Sequence, residues 1–283
     1  MPQRFFKVIE TYSNDQILSL IKDMGTILDE EKNLVFIPQA KIMVVGDLHG
    51  DLETLHKIIQ QFFRDDYDIL LFLGDYVDRG AKQVEVINVL FYYKKILPER
   101  IILLRGNHED PIINRQYGFY DQVRLKFKDN KTFFRAYNQI FSKLPLAAIT
   151  WNGILCLHGG IPEGLDNIDE INELPNNQTH VKNPVIKQML WNDPKEFRWS
   201  SKEFKRNSRG PGIKHFGEEA FHYFITQNKI KYVIRSHERV KNGCKTYFDE
   251  KLFSIFSSRS YSKRISTVVG SINNKGNIDI IPI

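Results

Sequence analysis

Cysteine is almost absent from this chain. Only Cys156 and Cys244 occur in 283 residues, too few for a disulfide framework and without the C-x-x-C spacing of a thiolate metal site. Long apolar runs are missing too: none approaches the ~18 residues that a membrane-spanning helix needs. The opening stretch, MPQRFFKVIETYSNDQILSLIKDMG, carries charges every few positions and no apolar segment of the secretory kind. A reducing, cytoplasmic setting without a membrane partner is therefore expected. Low-complexity tracts, internal repeats and a clear linker are also lacking, so residues 1–283 read as one domain, with residues 1–39 as a helical, then extended, lead-in. Charge of one sign does not dominate: 40 Lys and Arg against 34 Asp and Glu leave a net +6. That balance suits anionic ligands in general but falls short of a nucleic-acid footprint. The one basic cluster, Lys195, Arg198, Lys202, Lys205, Arg206, Arg209 and Lys214, reads as a solvated face apart from Arg209.

What is present is ordinary globular material, 42% hydrophobic and 26% charged, in a regular alternation. Ile17, Leu18, Leu20, Ile21 and Met24 recur near helical spacing, and Leu34 to Ile37 is a short apolar run. Ile42 to Val45 reads as a buried strand, residues 51–63 as an amphipathic helix, and Ile69 to Leu73 as a strand. Residues 82–95 read as a helix and Ile101 to Leu104 as a third strand. Strand–helix repetition of this length implies βαβ units around a mainly parallel sheet. Residues 111–143 read as helices, Ile154 to Leu157 as a strand, 162–184 as loop and 217–228 as a helix. The last fifty residues break into short strands at 231–235, 245–248, 252–256, 265–269 and 278–283. They are expected to be mostly antiparallel, giving two packed sheets.

Five strand ends run directly into metal-type side chains: Gly46-Asp47-Leu48-His49-Gly50, Gly74-Asp75-Tyr76-Val77-Asp78-Arg79-Gly80, Arg105-Gly106-Asn107-His108-Glu109, Leu157-His158-Gly159-Gly160 and Arg235-Ser236-His237-Glu238. Singly, each is ordinary: Asp47 could cap the next helix, Asp75 and Asp78 could be turn residues, and His158 a bonded loop histidine. Five such clusters at successive strand ends point to one site, because open α/β sheets bind ligands beyond the carboxyl ends of their strands. Carboxylate, imidazole and amide without thiolate suit manganese, iron, zinc or magnesium better than a soft metal. The ligand count fits two ions, with Asp75 between them. A pair about 3.5–4 Å apart would suit in-line displacement at a phosphate ester.

The motifs GDLHG, GDYVDRG, LLRGNHE and LHGG resemble the signature set of the phosphoprotein phosphatase family of serine/threonine phosphatases. That family belongs to the calcineurin-like metallophosphoesterase fold. The resemblance covers roughly residues 40–265 and includes Leu190-Trp191-Asn192-Asp193-Pro194 and Arg209-Gly210. The Arg-Gly-Pro-Gly-Ile-Lys stretch is similar to archaeal members. The resemblance implies an α/β fold with two mixed sheets in a central sandwich flanked by helices. It implies Asp47, His49 and Asp75 at one divalent ion, and Asp75, Asn107, His158 and His237 at the other. It gives Arg79, Arg209 and Tyr261 to the substrate phosphate, and His108 to general-acid work with Asp78 orienting it. An activated hydroxide is then expected to attack phosphoserine or phosphothreonine in proteins directly, with separate regulatory subunits as further partners. Two departures stand out. Ser257-Ser258-Arg259-Ser260-Tyr261-Ser262 replaces the usual Ser-Ala-Pro-Asn-Tyr-Cys, and Asp51 replaces the common Gln. A nucleotide phosphohydrolase of the same fold, a nuclease and a non-catalytic phosphoprotein-binding module are the competing readings. Of the remaining histidines, His56 and His222 read as structural or exposed, His180 as a loop residue, and His215 as a candidate for the site edge. Trp191, Phe221 and Phe224 read as core.

Overall fold

The computed structural model describes residues 9, 11–196, 204–262 and 264–283. Helix α1 (Asn14–Asp29) begins at a reciprocal capping box in which Ser13 Oγ accepts from Gln16 N and Gln16 Oε1 accepts from Ser13 N. Strand β1 (Leu34–Ile37), strand β2 (Ile42–Val45), helix α2 (Leu52–Arg64), strand β3 (Ile69–Phe72), helix α3 (Gln83–Ile96) and strand β4 (Ile101–Leu103) follow. Next come helices α4 (Pro111–Tyr117), α5 (Phe119–Lys126) and α6 (Asn130–Phe141), strands β5 (Ala147–Thr150) and β6 (Ile154–Leu157), and a 3-10 turn at Ile168–Glu173. The second half holds α7 (Pro184–Trp191), β7 (Asp193–Pro194), β8 (Lys205–Arg206), β9 (Lys214–Phe216), α8 (Glu218–Gln227), β10 (Tyr232–Arg235), β11 (Cys244–Tyr247), β12 (Leu252–Ile255), β13 (Val268–Ile272) and β14 (Ile278–Pro282).

The strands form a six-stranded sheet, β1-β5-β6-β10-β12-β11, and a five-stranded sheet, β14-β13-β2-β3-β4. Each is mixed: β2, β3 and β4 run parallel while β13 lies antiparallel to β2, and β10 is parallel to both β6 and β12. Strand alternation explains the layering. Ile42 and Val44 face a core shared with Ile234 and Ile255 of the other sheet, whereas Met43 and Val45 face α1, α2, α3 and α6. Helices α7 and α8 cover the outer face of the six-stranded sheet through Met189, Leu190, Phe221 and Phe224. Both faces of β2 are thus buried, and this is why it reads as a continuous apolar run. No described helix is long and apolar enough to cross a membrane.

The structure corrects several expectations. The C-terminal strands are mostly antiparallel, through β11–β12, β13–β14 and β13–β2, but β10 departs from this with parallel partners on both sides. A third, three-stranded sheet, β7-β9-β8, is present; its strands of two or three residues are too short for any periodicity. The stretch 162–184 ends at a helix, since Asn183 Oδ1 caps the amides of Val185 and Ile186 and Pro184 takes the first turn. Arg198 and Lys202 of the basic cluster lie outside the described residues.

Helices α5 and α6 pack through Phe119, which is fully buried against Phe134, Tyr137 and Phe141. Removing that ring leaves a cavity between three aromatics. Phe119→Ala should lower the unfolding free energy by about 3–5 kcal/mol, measured by urea denaturation; a loss below about 1 kcal/mol would contradict this packing role.

Candidate functional site

The five strand ends converge where the two large sheets meet. Asp47, His49, Asp75, Asn107, His158 and His237 are all buried, His237 the most exposed at 8%. The loops achieve this with costly backbone. Among the described residues, eleven non-glycine residues have positive φ, and five of them are His49, Asp75, Asp78, Arg79 and His237. Gly74 and Gly106 let two of the loops cross. A Cβ on Gly74 (φ 110°) would strike the Gly106 backbone, and one on Gly106 would fall on Asp75. Glu109 locks the crossing: its carboxylate accepts from the amides of Asp75 (2.8 Å), Tyr76 (2.9 Å) and Gly106 (2.8 Å).

Hydrogen bonds set the imidazole tautomers. His49 Nδ1 donates to Val77 O (2.9 Å) and His158 Nδ1 to Leu73 O (3.1 Å), so each Nε2 keeps its lone pair toward the centre. His49 Nε2 then lies 3.6 Å from Asp47 Oδ2 and 3.5 Å from Asp75 Oδ2. His158 Nε2 lies 3.3 Å from Asp75 Oδ1 and 2.9 Å from Asn107 Oδ1, and His237 Nδ1 is 2.7 Å from the same Asn107 oxygen. Ligand atoms of Asp75, His158 and His237 fall within 4.8 Å of one another, as do those of His49, Asp75 and His108. Acceptors this close repel unless cations lie between them. The donor set therefore fits divalent ions with nitrogen and oxygen ligands. The electrostatics agree. Burial works against the Asp75 carboxylate, yet the imidazoles of His158, His108 and His49 hold it well below the usual range. Burial holds His237 well below the ordinary histidine value, and nearby Arg209 adds to the effect, so its imidazole is neutral and able to ligate.

A second group stands beside this centre. His108 Nδ1 is 2.8 Å from Asp78 Oδ2, which also accepts from Asn114 Nδ2 (3.0 Å), while Asp78 Oδ1 accepts from the Phe119 amide (3.0 Å). Burial pushes the His108 imidazolium down, but the Asp75 charge and the Asp78 bond outweigh it, and the pKa is raised above the ordinary value. Arg79 lies at the rim with its guanidinium 4.4 Å from the Tyr117 ring centre and 5.0 Å from that of Tyr261. Arg209 is fixed by Asp193, with Nε to Oδ2 at 2.6 Å. Asp193 is in turn held by the fully buried Arg235. Burial opposes the Asp193 charge, but the guanidiniums of Arg235 and Arg209 depress its pKa far below the carboxylate range. The Tyr261 hydroxyl is 3.3 Å from His49 Nε2.

Every residue given a role at the site by its sequence motif thus lies in that site or on its rim. The supports are less visible in the chain: Glu109, Asn114 and Tyr117 lie in or just after the GNHE motif, and the signal for Asp193 and Arg235 is that each sits beside a candidate ligand or in a quoted motif. The altered loop carries its own bonds. Ser258 Oγ donates to Leu48 O (2.8 Å), Ser260 Oγ to His49 O (2.7 Å) and the Arg259 amide to Asp51 Oδ2 (2.8 Å). Asp51 therefore both caps α2 and holds the Tyr261 loop. Trp191 is half-buried and packs edge-on against His237 at 5.5 Å, so it borders the site as well as the core. His180 bonds Asp110 (2.9 Å) and His215 lies in β9, pairing with Asp193 of β7.

The acceptor cluster makes metal content a direct test. The wild-type protein should take up two equivalents of manganese, and Asp75→Asn less than one, by elemental analysis after dialysis; His56→Ala should match wild type. Two equivalents retained by Asp75→Asn would remove Asp75 from the centre.

Comparison with known proteins agrees with this geometry. The family model for calcineurin-like phosphoesterases matches residues 40–240. The chain is 34% identical over 266 residues to a protein phosphatase 2A catalytic subunit of Dictyostelium discoideum, covering 93% of this chain and 82% of that one. It is 32% identical to the serine/threonine-protein phosphatase 4 catalytic subunit of Kluyveromyces lactis, covering 90% and 80%. A solved Saccharomyces cerevisiae protein serine/threonine phosphatase superposes with a TM-score of 0.85 at 26% identity, over 96% of this chain and 90% of that one. The chain belongs to the calcineurin-like phosphoesterases and, within them, to the serine/threonine phosphatases of the phosphoprotein phosphatase family.

Proposed function

We propose that the chain removes phosphate from phosphoserine and phosphothreonine in proteins, with His108 as general acid. The observation that carries this is the His108–Asp78 pair, at 2.8 Å, with the His108 ring 4.7 Å from that of His49 in the buried ligand cluster. Two divalent ions, manganese by preference, would be held by Asp47, His49, Asp75, Asn107, His158 and His237; when bound they supply Lewis-acid activation of a water and of the phosphoryl oxygens.

The chain's own residues supply the rest. Arg79 and Arg209 present guanidinium forks to the phosphoryl oxygens, a geometry that a lysine ammonium does not match. Stacking on Tyr117 and Tyr261 fixes one fork, and the Asp193 carboxylate fixes the other, so little freedom is lost on binding. Asp78 accepts from His108 Nδ1, which orients Nε2 outward and favours the charged ring. That Nε2 proton passes to the leaving alkoxide as the phosphorus–oxygen bond breaks. Burial keeps the Tyr261 phenol protonated, so its hydroxyl can donate to a phosphoryl oxygen. The two cysteines accord with a cytoplasmic location, and separate regulatory subunits accord with the relatives, which are catalytic subunits by name.

His108→Asn should lower kcat on a phosphothreonine peptide by about 10²–10⁴-fold with KM changed only a few-fold. The assay uses manganese-loaded enzyme, with a phosphotyrosine peptide and a dinucleoside polyphosphate alongside. Preference for the nucleotide would overturn the substrate assignment, and no turnover of any substrate would favour a binding module.

A further inference from the structure

Tyr261 carries a second guanidinium besides that of Arg79. Arg239, two residues beyond His237, lies with its guanidinium carbon 5.8 Å from the Tyr261 ring centre, against 5.0 Å for Arg79. The side chain is exposed. Among the described residues it forms no ion pair, whereas Arg209 is committed to Asp193 and Arg235 to Asp193 and Glu238. The adjacent carboxylate does not neutralise it, because Glu238 is turned toward Arg235 (2.9 Å) and the Tyr247 hydroxyl (3.4 Å). The N–H donors of Arg239 therefore face solvent beside the phosphate site. The tyrosine that both arginines approach is itself held in place by the Ser258, Ser260 and Arg259–Asp51 bonds to the first metal-ligand loop. The two guanidinium carbons are at most roughly 11 Å apart, the reach of about three residues of extended chain.

We infer that Arg239 is a specificity-determining residue that receives a second anionic group of the substrate, within about three residues of the phosphoresidue being cleaved. The inference rests on the phosphoprotein reading above and narrows it to phosphopeptides with an acidic side chain or a second phosphoryl group nearby. Three features of the placement favour this. A guanidinium drawn to an aromatic ring by a cation–π contact still keeps N–H donors free for an anion. A charge at the rim of an already cationic mouth adds to the attraction of a doubly charged ligand more than to that of a singly charged one. Both guanidinium carbons lie within 5.8 Å of the Tyr261 ring centre, so a peptide bound by its phosphate at Arg79 has Arg239 within reach.

The test compares kcat/KM for three phosphothreonine peptides, with neutral residues, with glutamates, or with a phosphoserine at the flanking positions. Each is taken relative to p-nitrophenyl phosphate, which has no second anion. Wild-type enzyme should favour the glutamate peptide over the neutral one by roughly three- to fivefold at low salt, chiefly through KM. Arg239→Ala should remove the preference, Arg239→Lys should restore part of it, and Arg239→Glu should invert it. A gain confined to the doubly phosphorylated peptide assigns the subsite to phosphate; an equal gain for both assigns it to any anion. An unchanged preference in Arg239→Glu would overturn the inference. So would an equal fall on all substrates, p-nitrophenyl phosphate included, since Arg239 would then act only as a prop for Tyr261. The same peptides are also run as competitors of p-nitrophenyl phosphate hydrolysis. Acid-dependent competition without cleavage would sink the phosphoprotein reading while keeping the subsite.

Discussion

Electron-pair acceptors crowded into a buried space govern this molecule. Oxygens of Asp47, Asp75 and Asn107 and ring nitrogens of His49, His158 and His237 approach to between 2.7 and 3.6 Å around a point that water barely reaches. Burial without compensating positive charge would be strongly unfavourable. Much of the surrounding architecture exists to enforce the crowding. Two sheets meet face to face so that strand ends from both aim at one point. Glu109 ties the loop after β3 to the loop after β4 through three amides, and carbonyls of Val77 and Leu73 hold two imidazoles in the right tautomer. A domain optimised for stability alone would not carry left-handed backbone at His49, Asp75, Asp78, Arg79 and His237. The rest of the core supplies the stability that lets it do so.

The rim follows a different logic from the centre. Centre residues are buried, and two of their imidazoles, His49 and His158, are held by backbone carbonyls. Rim residues are partly exposed and held by side chains: Arg209 by Asp193, Arg79 by two tyrosines, Tyr261 by a serine-bonded loop. Asp193 gathers Arg209, Arg235 and the neighbourhood of His237 into one network, so the phosphate-facing and ligand-bearing parts of the site share a single buried carboxylate. The replacement of the usual loop sequence did not leave the tyrosine unsupported. Serine hydroxyls at 258 and 260 reach the carbonyls of Leu48 and His49, and the Asp51 carboxylate accepts from the Arg259 amide.

Much of this was legible in the chain. The βαβ alternation was readable because β2, β3 and β4 are buried on both faces and so are unbroken apolar runs, each ending at a glycine or an arginine-glycine. The ligands were readable because each follows such a run within a few residues. What escaped has physical reasons. Strand β5 (Ala147–Thr150) follows Leu-Pro-Leu without a polar break to mark its start. The three-stranded sheet has strands of two or three residues, below any period. Helix α7 announces itself by Asn183-Pro184, a cap followed by a first-turn proline, which a loop reading passes over. The parallel pairing of β10 could not be deduced locally, because its partners β6 and β12 are set by the global sandwich. The cradle residue Asn114 looks unremarkable until the fold places it beside His108 and Asp78.

Strand β13 has a consequence for how the molecule assembles. It returns from far along the chain to pair with β2, residue 45 opposite residue 269, and His237 reaches the centre across 130 residues from Asn107. These are contacts of high sequence separation, whose closure is entropically slow. During synthesis the first three loops can emerge, with Asp47, His49, Asp75 and Asn107, long before His158 and His237 exist. A nascent chain therefore carries four of the six cage ligands without the last two, together with an unpaired edge on β2. Completion of the sandwich and completion of the cage are one event, and strands that leave the ribosome late govern both.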